Sequence, residues 1–267
     1  MKFNILICLL PLFLLSISCE KRIDLDLNAN NPTPVFDAYI ENDTTCFVLA
    51  TWTSSYYVAE PDPLLENAVI TISDQQGNSE TLNYKGEGIY RGENIKGVIG
   101  NTYTLNIDVD GKNYTSTSSI PPLVPIDSLT IGVSQSIYGV DGFSVYANYT
   151  DPVDYFNYYT IHTDPGQYYA EKYSFFHKIS DDNLYNGNRT ALLASRVSYA
   201  PLDTVRVTLG SINYDSWLFF KTMDHASERN DIFGSVAPAN PTSNISGGAL
   251  GHFTARSISK KEIVIPQ

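Results

Sequence analysis

Histidine, cysteine, methionine and tryptophan are all scarce in this 267-residue chain, numbering four, three, two and two. Each shortage narrows the chemistry. His162, His177, His225 and His252 are scattered, and no His-x-x-x-His or His-Glu-x-x-His spacing places two imidazoles on one helix face. A zinc centre needs three or four ligands, so zinc chemistry is set aside. Serine has no Gly-x-Ser-x-Gly elbow. The glycine-rich stretch Gly247-Gly248-Ala249-Leu250-Gly251 opens no helix and carries no lysine, so it is read as a crossing loop and not a phosphate cradle. Positive charge is short as well: 17 Lys and Arg stand against 29 Asp and Glu, a net charge of −12. That balance argues against nucleic acid or an anionic membrane face as a ligand. The pattern points to no metal and no cofactor. The paired carboxylates of a glycosidase come from separate strands and leave no local spacing, so a hydrolase with dispersed Asp and Glu stays as a third reading behind two binding roles.

The N-terminus is more informative. Met1-Lys2 supplies a charged tip, Phe3 to Ile17 is apolar, and Ser18-Cys19 precedes Glu20-Lys21-Arg22. This is the layout of an export signal that ends at a lipid-modified cysteine, and the apolar run is short against the ~20 residues of a membrane-spanning helix. Cys19 is therefore the expected lipid attachment site, with residues 1–18 removed as signal and 19–34 serving as a tether. Several acyl chains give stable anchoring where one gives only marginal binding. Without Lys2 the mature balance is 16 basic against 29 acidic residues, a net charge of −13. Cys8 would leave with the signal. Cys46, in the apolar run Thr44 to Leu49, would then be alone and buried, with no disulfide framework.

Nineteen tyrosines, with frequent threonine, valine and isoleucine, favour strands. The fold class read from the pattern is mainly β: two tandem β-sandwich-like domains, the first immunoglobulin- or transthyretin-like, and one helix in the second. The first domain spans 35–121, with strands expected at Val35-Ile40, Cys46-Thr53, Ala68-Ser73, Glu80-Tyr84, Gly88-Arg91, Thr102-Val109 and Lys112-Ile120. Its clearest element is a hairpin, where Tyr103, Leu105, Ile107 and Val109 alternate with polar residues before Asp110-Gly111. Asn106, Asp108 and Asp110 imitate the start of a calcium loop, but the twelfth position holds Thr117 where a bidentate Glu is needed. Pro121, Pro122 and Pro125 break the ladder and mark the boundary. The second domain, 122–267, is expected to hold strands at Ser128-Val133, Phe143-Thr150, Asn157-Thr163, Lys172-Phe176 and Thr204-Leu209, then a closing hairpin of Thr254-Ser257 with Lys261-Ile265. Its helix spans 213–228. Asn213 caps it, Asp215 lies in the first turn, and Tyr214, Trp217, Phe220 and Met223 form a stripe read as packing on a sheet.

One region concentrates aromatics: Tyr138, Tyr146, Tyr149, Tyr155, Tyr158, Tyr159, Tyr168, Tyr169 and Tyr173, joined by Phe143 and Phe156. Strand alternation can turn only about half of them to a core. The rest form the candidate ligand-binding surface, because a tyrosine offers a rigid apolar face and a hydrogen-bonding tip to a protein or a sugar. Plain sheet surface, with cross-strand aromatic pairs, explains the same residues.

Several short pieces recur in a specific order. They are Cys19-Glu20-Lys21 with Ile23-Asp24-Leu25, Gly88-Ile89-Tyr90, Tyr103-Thr104-Leu105, and Ile120-Pro121-Pro122 before Ile126-Asp127-Ser128-Leu129. Asn240-Pro241, Ser243-Asn244-Ile245 and Gly247 to Gly251 then lead to Phe253, and Ile263-Val264-Ile265 closes the chain. In this order they resemble a lipoprotein family of Bacteroidota, domain of unknown function 4249. His252 departs from the aromatic residue expected before Phe253. The resemblance implies an outer-membrane lipoprotein, often encoded near a TonB-dependent transporter. Together with the anchor, the acidic tyrosine-rich second domain and the lack of a catalytic signature, it leads to the expectation of a non-catalytic binding or accessory component of a TonB-dependent transport system, on the periplasmic or the cell-surface face. It transfers no catalytic residue. It also suggests O-glycan triplets at Asp43-Thr44-Thr45, Asp127-Ser128-Leu129 and Asp203-Thr204-Val205. The alternative is an independent surface module that binds carbohydrate or peptide.

Overall fold

Residues 32–54, 62–134, 142–164, 178–194, 199–227 and 240–267 are described by a computed structural model of the chain. Cys19 and its tether up to residue 31, and the strand expected at 172–176, lie outside them. Fifteen strands form among the described residues, with buried and outward positions alternating most clearly in those of the first half of the chain. They are β1 (Pro34–Glu41), β2 (Thr45–Trp52), β3 (Val69–Asp74), β4 (Ser79–Thr81), β5 (Asn83–Gly86), β6 (Ile89–Lys96), β7 (Thr102–Val109) and β8 (Lys112–Ser119), followed by β9 (Ser128–Ser134), β10 (Gly142–Thr150), β11 (Tyr158–Asp164), β12 (Lys178–Asp181), β13 (Arg189–Leu193), β14 (Thr204–Ile212) and β15 (Leu250–Val264). The helix α1 (Tyr214–Ser227) joins β14 towards β15. The chain is mainly β, in layers of packed sheets.

The organising element is β15. Residues 250–256 run parallel to β1, and residues 257–264 run antiparallel to β14. One strand thus serves two sandwiches in series. The first sets β15–β1–β2–β6–β5 against a sheet ordered β4–β3–β7–β8. The second sets β12–β11–β14–β15 against β13–β10–β9. Each has its own core. Phe36, Ile40, Val48, Ile70, Leu105 and Ile107 are buried in the first, and Val145, Tyr149, Tyr159, Ile161, Val207 and Leu209 in the second. The cores divide at the proline run, with one exception: Ile245, Ala249, Phe253 and Ala255 belong to the first core although they lie beyond the proline run in sequence.

The polar residues midway along β15 explain the changeover. Ser257 Oγ donates to the Pro122 carbonyl at 3.1 Å, and Ser259 Oγ accepts the Ile126 N–H at 2.9 Å. Linker backbone that passes between two cores needs such partners. Elsewhere side chains take the place of a neighbouring strand. Asn244 exchanges two hydrogen bonds with the Phe253 backbone, at 2.8 and 2.9 Å, and Ser118 Oγ accepts the Ala255 N–H at 2.9 Å.

Two expectations are corrected here. The closing hairpin is a single continuous strand, because Ile258-Ser259-Lys260 has no turn chemistry and stays paired to β14. The strand expected at 80–84 is two strands that cross between sheets: β4 pairs with β3, β5 pairs with β6, and buried Leu82 lies between them. The hairpin of β7 and β8 turns at Asp110 and Gly111, both with positive φ, and Asp108 accepts the Gly111 N–H at 3.2 Å. The calcium-like spacing is thus a strand followed by a turn.

Candidate functional site

The tyrosines divide by strand parity. Tyr149 in β10 and Tyr159 in β11 are fully buried, with ring centroids 5.0 Å apart. Tyr159 donates to buried Asp151, and Tyr149 donates to the Tyr185 hydroxyl at 3.1 Å. Burial, reinforced by these hydrogen bonds, pushes both phenols far above their ordinary range. These two residues are core, which corrects their place in the candidate surface: their positions along β10 and β11 point to the second core. Tyr146 lies on the opposite face of its sheet, half-buried, with its ring against Gly132 of β9. Tyr138, Tyr168, Tyr169 and Tyr173 lie outside the described residues.

Tyr155 and Tyr158 remain, and the structure adds partners from elsewhere. Tyr158 begins β11 opposite Ile212, the last residue of β14, so the first turn of α1 emerges beside it. Asn213 Oδ1 accepts the Ser216 N–H at 2.9 Å and starts the helix as expected. Tyr214 and Trp217 then meet Tyr158 at centroid distances of 5.5 and 5.3 Å, and lie 5.9 Å from each other. Phe156 packs on Tyr158 at 5.0 Å. Lys221, one turn after Trp217, sets its ammonium 4.3 Å from that ring. Phe156 is 46% exposed, Tyr214 50% and Tyr155 39%. The result is a row of aromatic rings in which Phe156 and Tyr214 are exposed and Tyr158 and Trp217 are half-buried.

Part of the helix stripe therefore departs from the expected role. Successive steps of three residues drift by roughly 60° around a helix, so four such residues cannot share one face. Tyr214 and Trp217 point to Tyr158, whereas Phe220, together with Phe219, turns to His252. Phe219 stacks on the imidazole at 4.7 Å and 11°. The row is also acidic. Asp181 is the cross-strand partner of Tyr158, and exposed Asp154 precedes Tyr155. Burial and the neighbouring Tyr214, Asp181 and Asp182 raise the Tyr158 phenol, while burial, Asp151 and Asp154 raise Tyr155.

Other reactive side chains are internal. Cys46 is fully buried, and desolvation, with Glu80 nearby, pushes its thiol well above the usual range, which leaves it inert. His252 and Ser216 form a pair at 2.9 Å, but both are shut off from solvent, and burial holds the imidazole down to about 3. His162 is held down to about 4, chiefly by burial and then by Arg256. The side chains of His177 and His225 lie outside the described residues. Among the described residues no three His, Cys, Asp or Glu side chains converge on a metal position. The glycine-rich loop is architectural: Gly251 has φ +93°, and a Cβ there would lie 2.0 Å from the Phe36 carbonyl oxygen.

A two-domain fibronectin type III segment from chicken tenascin is similar at 12% sequence identity, covering 68% of this chain and 90% of that one, with a TM-score of 0.23. No curated protein matches the chain. The model of a family described as a domain of unknown function, DUF4249, matches residues 20–262. That match runs through both sandwiches and nearly all of the strand they share, and the chain belongs to the DUF4249 family.

Proposed function

We propose that this chain is a non-catalytic binding lipoprotein of the outer membrane, anchored by acyl chains on Cys19, that serves as an accessory component of a TonB-dependent transport system. The observation that carries the binding role is the row of Phe156, Tyr158, Tyr214 and Trp217, whose outer members Phe156 and Tyr214 are exposed. Exposed clustered rings are the usual energetic centre of a protein or ligand contact. The anchor rests on the signal layout ahead of Cys19, and the transport setting on the family resemblance. The non-catalytic reading is supported by the burial of Cys46, Ser216, His252 and Asp151 away from any substrate.

The test is a native pull-down of the tagged, lipidated protein from detergent-solubilised outer membrane. A TonB-dependent barrel should co-purify in stoichiometric amount, and a Tyr214→Ala/Trp217→Ala variant should lose it. A protein that arrives alone, from a preparation in which known complexes survive, sinks the accessory role. The second reading is an independent carbohydrate- or peptide-binding module, favoured by rings that already face solvent within one chain. Binding on a glycan or peptide panel that the same variant abolishes would establish it.

A further inference from the structure

We infer that the ring row of Phe156, Tyr158, Tyr214 and Trp217, fringed by Asp154 and Asp181, docks a lysine- or arginine-bearing segment of a partner protein. This rests on the reading of the row as a binding face and names the chemistry that face selects.

Three observations converge. The first is Lys221, whose ammonium lies 4.3 Å from the Trp217 ring, so the cluster already accepts a cation at one end. The second is the placement of carboxylates. Asp181 and Tyr158 are direct cross-strand partners, so a carboxylate and a ring share one face of the sheet. Asp154 precedes Tyr155, is exposed, and acts on the Tyr155 phenol. The third is an internal counterpart. Arg256 lies 5.1 Å from the Tyr39 ring while Glu41 accepts its guanidinium hydrogen bonds, so ring and carboxylate together hold a cation inside this fold. The surface version repeats the ring and the carboxylate on neighbouring strands and leaves the cation to a partner. A chain of net charge −12 adds long-range attraction for such a segment.

The experiment uses the full chain with Trp52→Phe, so that fluorescence reports Trp217 alone. An acetylated peptide of alternating glycine and lysine is titrated at physiological ionic strength, beside its glycine–glutamate counterpart and maltohexaose. The basic peptide should perturb Trp217 and saturate. Tyr214→Ala, which leaves net charge unchanged, should weaken it by about tenfold, and Asp181→Asn by several-fold. Phe156→Ala repeats the ring test, with circular dichroism confirming the fold of each variant. Equal affinity in the ring variants overturns the inference, because overall charge then explains binding. Absence of binding overturns it as well. Saturable binding of maltohexaose without the basic peptide overturns the cation specificity while the binding face stands. A face that takes neither probe, in a protein that also pulls down alone, removes the binding reading itself.

Discussion

Glu41 and Arg256 are 215 positions apart in sequence and meet at the end of the β1–β15 ladder. The Arg256 Nε and one terminal nitrogen both donate to Glu41 Oε1, at 2.8 and 2.5 Å. Side-chain exposure is 10% for the arginine and 12% for the glutamate. Two unit charges about 4 Å apart attract by about 4 kcal/mol at an effective dielectric constant of ~20. Desolvation costs several kcal/mol per ion, so the pair as a whole contributes little net stability. Breaking it is another matter, because one buried charge loses its hydrogen-bonded partner. Arg256→Met or Glu41→Leu should each lower stability by about 3–5 kcal/mol, whereas the double variant should recover most of that loss. Urea titration followed by far-ultraviolet circular dichroism, with m constant across the four proteins, gives the cycle. If each single change costs under about 1 kcal/mol, or if the two losses simply add, the argument that these charges need one another is refuted.

Three further outcomes are expected. Glu80 accepts backbone N–H bonds from Glu93, Asn94 and Ile95, and although burial raises its carboxyl, these bonds and the Asn94 amide outweigh that and hold it below the ordinary value. Its contribution is present above the ordinary glutamate pKa and is lost as pH falls through the lowered folded value, so Glu80→Gln should cost about 1–2 kcal/mol at pH 7 and flatten the acid limb of a urea-midpoint profile. Gly251→Ala should cost about 3 kcal/mol or more through its clash with Phe36, against only about 1–2 for Gly248→Ala, which has φ +83° but open space, and their thermal midpoints give the comparison. Burial lowers His252 from 6.5 to about 3, so the unfolded chain takes up its proton first. Stability should fall as pH drops from 6.5 towards 3, by at most about 1.4 kcal/mol per unit, and His252→Gln should remove that slope.

The strands most legible in the sequence are those whose partner is local. Tyr103 to Val109 alternates, Asp110-Gly111 supplies the turn, and β7 runs from Thr102 to Val109 as read. The helix was legible for a similar reason: Asn213 announces its own cap. What stayed hidden depends on distant pairing. Nothing between Glu80 and Tyr84 announces that the chain changes sheets at Leu82, because both strands come from one continuous run. Likewise Leu250 to Val264 contains two short alternating patterns separated by polar residues, which resembles a hairpin until the linker partners of Ser257 and Ser259 are known. Small polar residues there serve the crossing of a second chain segment.

The ring row shows the same limit at the site. Alternation foretold that about half of the tyrosines would leave the core, but Tyr158 and Tyr159 are adjacent, and only the pairing of β11 with β14 decides which faces out. Tyr214 and Trp217 come from a helix some 55 residues further on and reach Tyr158 because β14 ends beside it. Their aim depends in turn on β15. Ser216, between the two rings in sequence, meets the His252 imidazole at 2.9 Å, and Phe219 stacks on its ring. Residue 252 lies in the half of β15 that pairs with β1, whereas Tyr158 lies on the strand next to β14. The strand that joins the two sandwiches therefore also orients the surface proposed to bind, and the buried histidine links scaffold to site without titrating near neutral pH.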